Sequence, residues 1–176
     1  MEVDKQDMVV QIISGFRGSG KTTFLNQCIE QVKGKTAVIQ NDFGAQAVDR
    51  ENAEGSLIYE EIGEGCICCG KALEFEEKMR RIAMEDCPDR IFIEASGFGK
   101  LSDVVKVCTQ LKEKEHLEMV IRPNVTVVDI GMVEAYASGL GEFYVDQIEH
   151  ADVILVNNID SDDAESEEIE EGWKAL

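Results

Sequence analysis

Met8-Val9-Val10-Gln11-Ile12-Ile13-Ser14-Gly15-Phe16-Arg17-Gly18-Ser19-Gly20-Lys21-Thr22-Thr23 is the stretch that decides the fold. Its first part, Met8 to Ile13, is a short Val- and Ile-rich run with the composition of a buried strand. It leads directly into G-x-x-x-x-G-K-T, and a helix is expected to begin at the lysine. That pattern makes a phosphate-binding loop. Glycines let backbone N–H groups turn inward around phosphate oxygens, the helix N-terminus adds a positive dipole, and Lys21 brings charge to the β- and γ-phosphates. Gly15, Arg17, Gly18, Ser19, Gly20, Lys21, Thr22 and Thr23 are the expected nucleotide-contacting residues, with the Thr22 hydroxyl on Mg²⁺. A glycine-rich turn with no ligand is the plain alternative, and the strand-to-helix context of the whole motif argues against it.

Outward from this segment, short apolar runs alternate with longer amphipathic stretches, the pattern of a parallel sheet covered by crossover helices. Further strands are expected at Thr36 to Gln40, Arg90 to Glu94, Asn124 to Asp129 and Asp152 to Val156. Helices are expected from Gly20 to about Lys33, from Lys71 to about Glu85, and from a cap at Ser102 to about Glu113. Asn41 to Gly70 reads as a long loop with one short strand near Leu57 to Ile62. The expected class is α/β, a P-loop NTPase with a mainly parallel sheet and helices on both faces, in a single domain over residues 1–176.

The charge balance narrows the partners. With 36 acidic and 17 basic residues the formal net charge is -19, which repels a nucleic-acid backbone or an anionic membrane. No apolar run approaches the ~20 residues that span a bilayer, and the acidic N-terminus does not read as a leader, so a cytoplasmic protein is expected. From Asp160 to Glu171 eight of twelve residues are acidic, and a solvated helix with Ile169, Trp173 and Leu176 on one face is the reading there. Of the six cysteines, three sit in Cys66-Ile67-Cys68-Cys69, a spacing suited to thiolate coordination rather than to a disulfide framework. Cys28, Cys87 and Cys108 are expected to be buried small hydrophobes, and His116 and His150 are not expected to be ligands.

Two further motifs complete a nucleotide site. Arg90 to Gly97 is a buried strand ending in a carboxylate, with a glycine three residues on, so Glu94 stands where a Walker B acid orders Mg²⁺ or the attacking water. Gly97 can bring a backbone N–H near the γ-phosphate, and Lys21, Glu94 and Gly97 are the candidate catalytic set. Asn157-Asn158-Ile159-Asp160 approximates the N-K-x-D of guanine-binding proteins, with Asn157 and Asp160 as base-site candidates. A carboxylate at Asp160 can accept from guanine N1–H and the 2-amino group, which adenine does not offer, so GTP is favoured over ATP. Asn158 stands where a lysine stem would cover the base, which removes stacking area.

At the cysteine cluster, Cys66 and Cys69 have the C-x-x-C separation of a zinc turn, and Cys66 and Cys68 would point the same way from an extended strand. Zn²⁺ takes four ligands, so a fourth would come from Asp42, Glu61, Glu64, water or another molecule. Cu(I), Co²⁺, Ni²⁺ and an iron–sulfur cluster fit such thiolates too, and the choice stays open here.

In order along the chain, GFRGSGKTT, QNDFG, GEGCICCG, IFIEASG, VTVVD and DQIEHADVILVNNID resemble the CobW-like family of metallochaperone GTPases, related to the nickel-accessory GTPases of urease and hydrogenase. The resemblance implies slow, Mg²⁺-dependent GTP hydrolysis whose nucleotide state is coupled to holding or releasing Zn²⁺, Co²⁺ or Ni²⁺ as cargo at Cys66, Cys68 and Cys69. It also implies a client metalloprotein or cofactor-assembly protein and a nucleotide-dependent homodimer. The chain departs from the family pattern at Arg17, often leucine in relatives, at Asp42, usually glutamate, and at Asn158, usually lysine. Sixteen residues follow Asp160, where relatives complete the sheet and usually add a client-binding domain. A fragment, a short natural member and a protein completed by a partner all fit that length. Two other readings stand beside the resemblance: a thiolate metal-binding or redox-sensing module that binds nucleotide without turnover, and a small-metabolite kinase, for which no arginine-rich lid is evident.

Overall fold

The computed structural model describes residues 7–41, 48–49, 56–63, 65, 67, 70–139 and 141–158. Its sheet is built from β1 (Met8–Ser14), β2 (Thr36–Gln40), β3 (Leu57–Glu61), β4 (Arg90–Glu94), β5 (Met119–Ile121), β6 (Val125–Asp129) and β7 (Val153–Asn157). The order is β3-β2-β4-β1-β6-β7, with β5 beside the first half of β1, and every pairing is parallel. Continuous Val and Ile runs suit strands covered on both faces, and β2 is buried along its whole length. The helices are α1 (Lys21–Gln31), α2 (Ala72–Arg81), α3 (Leu101–Glu115), α4 (Val133–Gly139) and α5 (Gly141–Glu149).

Alternation along each strand sends successive side chains to opposite faces, and two cores result. On one face Leu25 and Ile29 of α1 pack over Ile13, Val38, Phe92 and Val127. On the other, Phe75 and Met79 of α2 and Val104, Cys108 and Leu111 of α3 cover Val10, Ile12, Ile39, Ile91 and Ile93. Tyr144 of α5 joins Phe16, Val128 and Val133 in a smaller cluster beside the second core. The α/β parallel architecture with helices on both faces is therefore as the sequence predicts.

Because all strands run the same way, their carboxyl ends share one edge, and register decides what meets there. Ile13 of β1 and Gln40 of β2 both lie alongside Glu94 of β4, while Asp129 of β6 lies alongside Asn157 of β7. The chain leaves adjacent β1 and β4 towards helices on opposite faces, which opens the crevice where such sheets bind ligands.

Three sequence expectations need correction or extension. Ser102 does not cap α3: the helix begins at Leu101, with Lys100 extended before it, and Ser102 gives both its N–H and its hydroxyl to Asp146 of α5. Cys87 is exposed and Cys28 half-buried, so only Cys108 is a fully buried thiol among these three. Cys87 ends a π turn over Ile82–Asp86 with φ +48° and points its thiol back at the Met84 carbonyl, so it never enters the core. β5 was not anticipated, being three residues long. The acidic stretch from Asp160 onward lies outside the described residues.

Burial pushes the Cys108 thiol up from its ordinary 9.0 to about 12. Unfolding lets that thiol ionise earlier than it does in the folded chain, so its contribution to stability is whole below pH 9 and is lost as pH rises towards 12. Urea midpoints measured across that range should therefore fall less steeply in Cys108→Ala than in the parent.

Candidate functional site

The phosphate loop joins β1 to α1 through residues whose conformations only glycine supplies cheaply. At Gly15 φ is +132°, and a Cβ would stand 2.2 Å from the Val127 carbonyl oxygen. At Gly20 φ is +105°, and a Cβ would stand 2.5 Å from Asn157 Nδ2. Gly20 has no side chain to cap α1, so the first N–H groups of the helix face the loop rather than a cap. Lys21 is buried, and its ammonium donates to the Phe16 carbonyl at 3.0 Å, which curls the charge back over the loop. Thr23, Arg17 and Gly18 lie on the exposed side.

Thr22 begins the helix on its inward face and donates its hydroxyl to Glu94 Oε1 at 2.6 Å. Glu94 is fully buried, and its Oε2 accepts from Gln40 Nε2 at 2.8 Å. This pair suits Mg²⁺. Both donors are hard oxygens, one of them a carboxylate, and ligand bonds of about 2.0–2.1 Å in an octahedron put neighbouring oxygens roughly 2.9 Å apart. The 2.6 Å pair is thus a few tenths of an ångström from sharing a coordination edge.

Gly97 is packed against the phosphate loop: a Cβ there would come within 2.7 Å of the Arg17 nitrogen. Gln147 of α5, fully buried, donates to the carbonyls of Gly97 at 3.3 Å and Gly99 at 2.7 Å, so the segment after β4 is held from below. Phe16 stacks on Tyr136 with ring centroids 4.4 Å apart and meets Tyr144 and Phe98 as well. The Tyr136 hydroxyl donates to the Arg17 carbonyl at 3.4 Å. The loop is therefore backed by aromatic rings rather than by solvent.

At the end of β7, Asn157 donates Nδ2 to the Ser19 carbonyl at 2.9 Å and so fastens the phosphate loop to the segment expected to read the base. Asn158, at φ +61°, donates its amide to Asp129 Oδ2 at 2.8 Å. The structure brings together Gly15, Ser19, Gly20, Lys21, Thr22, Glu94, Gly97 and Asn157 along one sheet edge. Asp42, Glu64, Cys66, Cys68, Cys69 and Asp160 lie outside the described residues. Among the described residues no group of three or more His, Cys, Asp or Glu is arranged to hold a metal ion. Gly65 and Ile67 are described: Ile67 is buried in the α2–α3 core, and the Gly65 carbonyl accepts from Asn41 Nδ2 at 2.9 Å. Gln40, Asn41 and Gln147 were not singled out from sequence. The available signal was a polar side chain at the end of an apolar strand or on the inner face of a helix.

Residues 9–176 match the CobW/HypB/UreG nucleotide-binding domain. The zinc chaperone YeiR of Escherichia coli is 28% identical over 165 residues, covering 92% of this chain and 50% of that protein. The zinc chaperone CobW of Pseudomonas aeruginosa is 30% identical over 194 aligned positions, covering 89% of this chain and 50% of that protein. Among solved structures, the Zn(II)-bound YjiA GTPase of E. coli superposes with a TM-score of 0.63 at 21% identity, over 96% of this chain and 54% of that one. The chain thus spans about half the length of these curated relatives. It belongs to the CobW/HypB/UreG nucleotide-binding domain family.

Gly97→Ala should push the Phe16–Arg17 backbone out of place, because the intruding atom meets main chain rather than a flexible side-chain tip. Titration with a fluorescent GTP analogue is expected to show affinity reduced by roughly tenfold or more, an effect of the size a small misplacement of positioning groups produces. Unchanged affinity would show that the contact has no bearing on nucleotide binding.

Proposed function

We propose that this member of the CobW/HypB/UreG family binds Mg²⁺ and GTP at Gly15 to Thr23, hydrolyses GTP slowly, and couples its nucleotide state to holding a transition metal at Cys66, Cys68 and Cys69. The observation that carries the nucleotide part is the meeting of the Thr22 hydroxyl and the buried Glu94 carboxylate at 2.6 Å beside the phosphate loop. A buried carboxylate is unfavourable without compensating partners, and its position next to a hydroxyl and a helix N-terminus fits a divalent cation and an anionic ligand.

In this reading Lys21 leaves the Phe16 carbonyl for the phosphates, and the α1 N-terminus with the loop amides surrounds them. Thr22 and Glu94 would hold Mg²⁺, which when bound neutralises charge on the phosphate oxygens. Glu94 also orients water, and Gly97 offers its N–H towards the γ-phosphate. Asn157 keeps the loop and base segment in register, and Asp160 selects guanine over adenine. Residues 1–176 act as one nucleotide-binding domain.

Zinc is the proposed cargo, with Co²⁺ and Ni²⁺ as further candidates, because the relatives named above are zinc chaperones. Three thiolates leave one position of a four-coordinate ion for Asp42, water or an acceptor, which suits a site that passes its metal on. The receiving partner is a client metalloprotein or cofactor-assembly protein in the cytoplasm, and two copies of the chain pair around nucleotide. No helix among the described residues is long and apolar enough to cross a membrane.

Phosphate release tests the enzymatic half. GTP should be turned over in preference to ATP, and Lys21→Ala should lower the rate by roughly a hundredfold or more. Competition with a zinc chelator tests the other half. Zinc affinity should differ between the GDP form and the form with a non-hydrolysable GTP analogue, by a factor within the roughly 5- to 150-fold range of coupled sites, and Cys66→Ser should lower it in both. Equal affinities would remove the coupling. Nucleotide binding without phosphate release would leave a thiolate metal-binding or redox-sensing module instead.

A further inference from the structure

β2 ends at Gln40 and a second amide, Asn41, follows it directly; both are buried. A buried amide must find partners for its donors and acceptor, so their hydrogen bonds show what they hold together. Gln40 donates Nε2 to the Glu94 carboxylate at 2.8 Å and accepts the Tyr59 hydroxyl at Oε1, while its backbone carbonyl accepts the Ile62 N–H at 2.9 Å. Asn41 donates its backbone N–H to the Glu94 carbonyl at 2.9 Å and its side-chain Nδ2 to the Gly65 carbonyl at 2.9 Å. Among the described residues, Asn41 Oδ1 is buried without a hydrogen-bond partner.

One residue therefore touches both the main chain of the Walker B position and the residue immediately before Cys66. We propose that Asn41 is a positioning residue that carries displacement of Glu94 to the cysteine-bearing segment. The proposal rests on the reading of Cys66, Cys68 and Cys69 as the metal site. The bonds give the route of the coupling, which by linkage acts both ways along it. Movement at the end of β4 pulls on Asn41 through the Glu94 carbonyl, and the Asn41 side chain passes it to the peptide of Gly65.

The test compares zinc affinities in the GDP form and the non-hydrolysable GTP form for the parent, Asn41→Ala and Asn41→Asp. The aspartate keeps the shape but replaces the Nδ2 donor to Gly65 with a carboxylate oxygen and adds a charge, whereas the alanine removes the side-chain bond without adding one. In both variants the ratio of the two affinities should fall to within about twofold of one, with GTP affinity in the absence of zinc kept within roughly threefold of the parent. By linkage, the effect of zinc on GTP affinity should vanish in the same variants. A role confined to stability would lower the affinities without removing their ratio. A parental ratio that survives in both variants overturns the assignment of Asn41 and leaves the metallochaperone reading standing. A parental ratio of one overturns both. Loss of GTP binding in both variants overturns the assignment too, since Asn41 would then belong to the nucleotide site itself.

Discussion

A carboxylate removed from water beside the phosphate loop is the constraint on which the rest of this structure depends. Glu94 is fully buried at the end of β4, and an ionised group in that position is tolerated only with donors aimed at it. Thr22 supplies one from the first turn of α1 and Gln40 another from the end of β2. Those donors arrive only if β1, β2 and β4 are parallel and in the observed register, so the electrostatics of one side chain and the topology of the sheet are not separable.

The same edge is reinforced from both flanks. Asn157 ties the end of β7 to the loop, Gln147 holds the segment after β4 by its carbonyls, and the rings of Tyr136 and Tyr144 support Phe16 at the loop's base. A rigid cradle matters because phosphoryl chemistry depends almost entirely on positioning and electrostatics. On the other side Gln40 and Asn41 continue the hydrogen-bonded frame towards Ile62 and Gly65, so the frame of the nucleotide site extends to the flank of the cysteine motif.

What could be read from sequence was what is local. β1, the loop and α1 form one continuous signal in which strand composition, glycine spacing and helix start agree, and Glu94 was recognisable as the polar end of an apolar strand. Gln40 and Gln147 were not recognisable, because their partners lie 54 and 48 residues away and only the folded sheet brings them close. β5 escaped because Met119–Ile121 is too short to show a period. Ser102 misled because a serine ahead of an apolar helical stretch reads as a cap, whereas its bonds go to Asp146 on another helix. The cysteine motif was readable as chemistry, through spacing and softness, and Cys66, Cys68 and Cys69 lie outside the described residues.

Glu94→Gln separates a carboxylate kept for cation binding from one kept for the fold. The glutamine can still accept from Gln40 and meet the Thr22 hydroxyl, while the buried charge is gone. The decisive measurement is the thermal midpoint of parent and variant, each with and without Mg²⁺ and a non-hydrolysable GTP analogue. The account predicts a ligand-free variant at least as stable as the parent and a Mg²⁺-dependent stabilisation that is lost. A variant that is destabilised when ligand-free yet keeps the full Mg²⁺-dependent shift would contradict it.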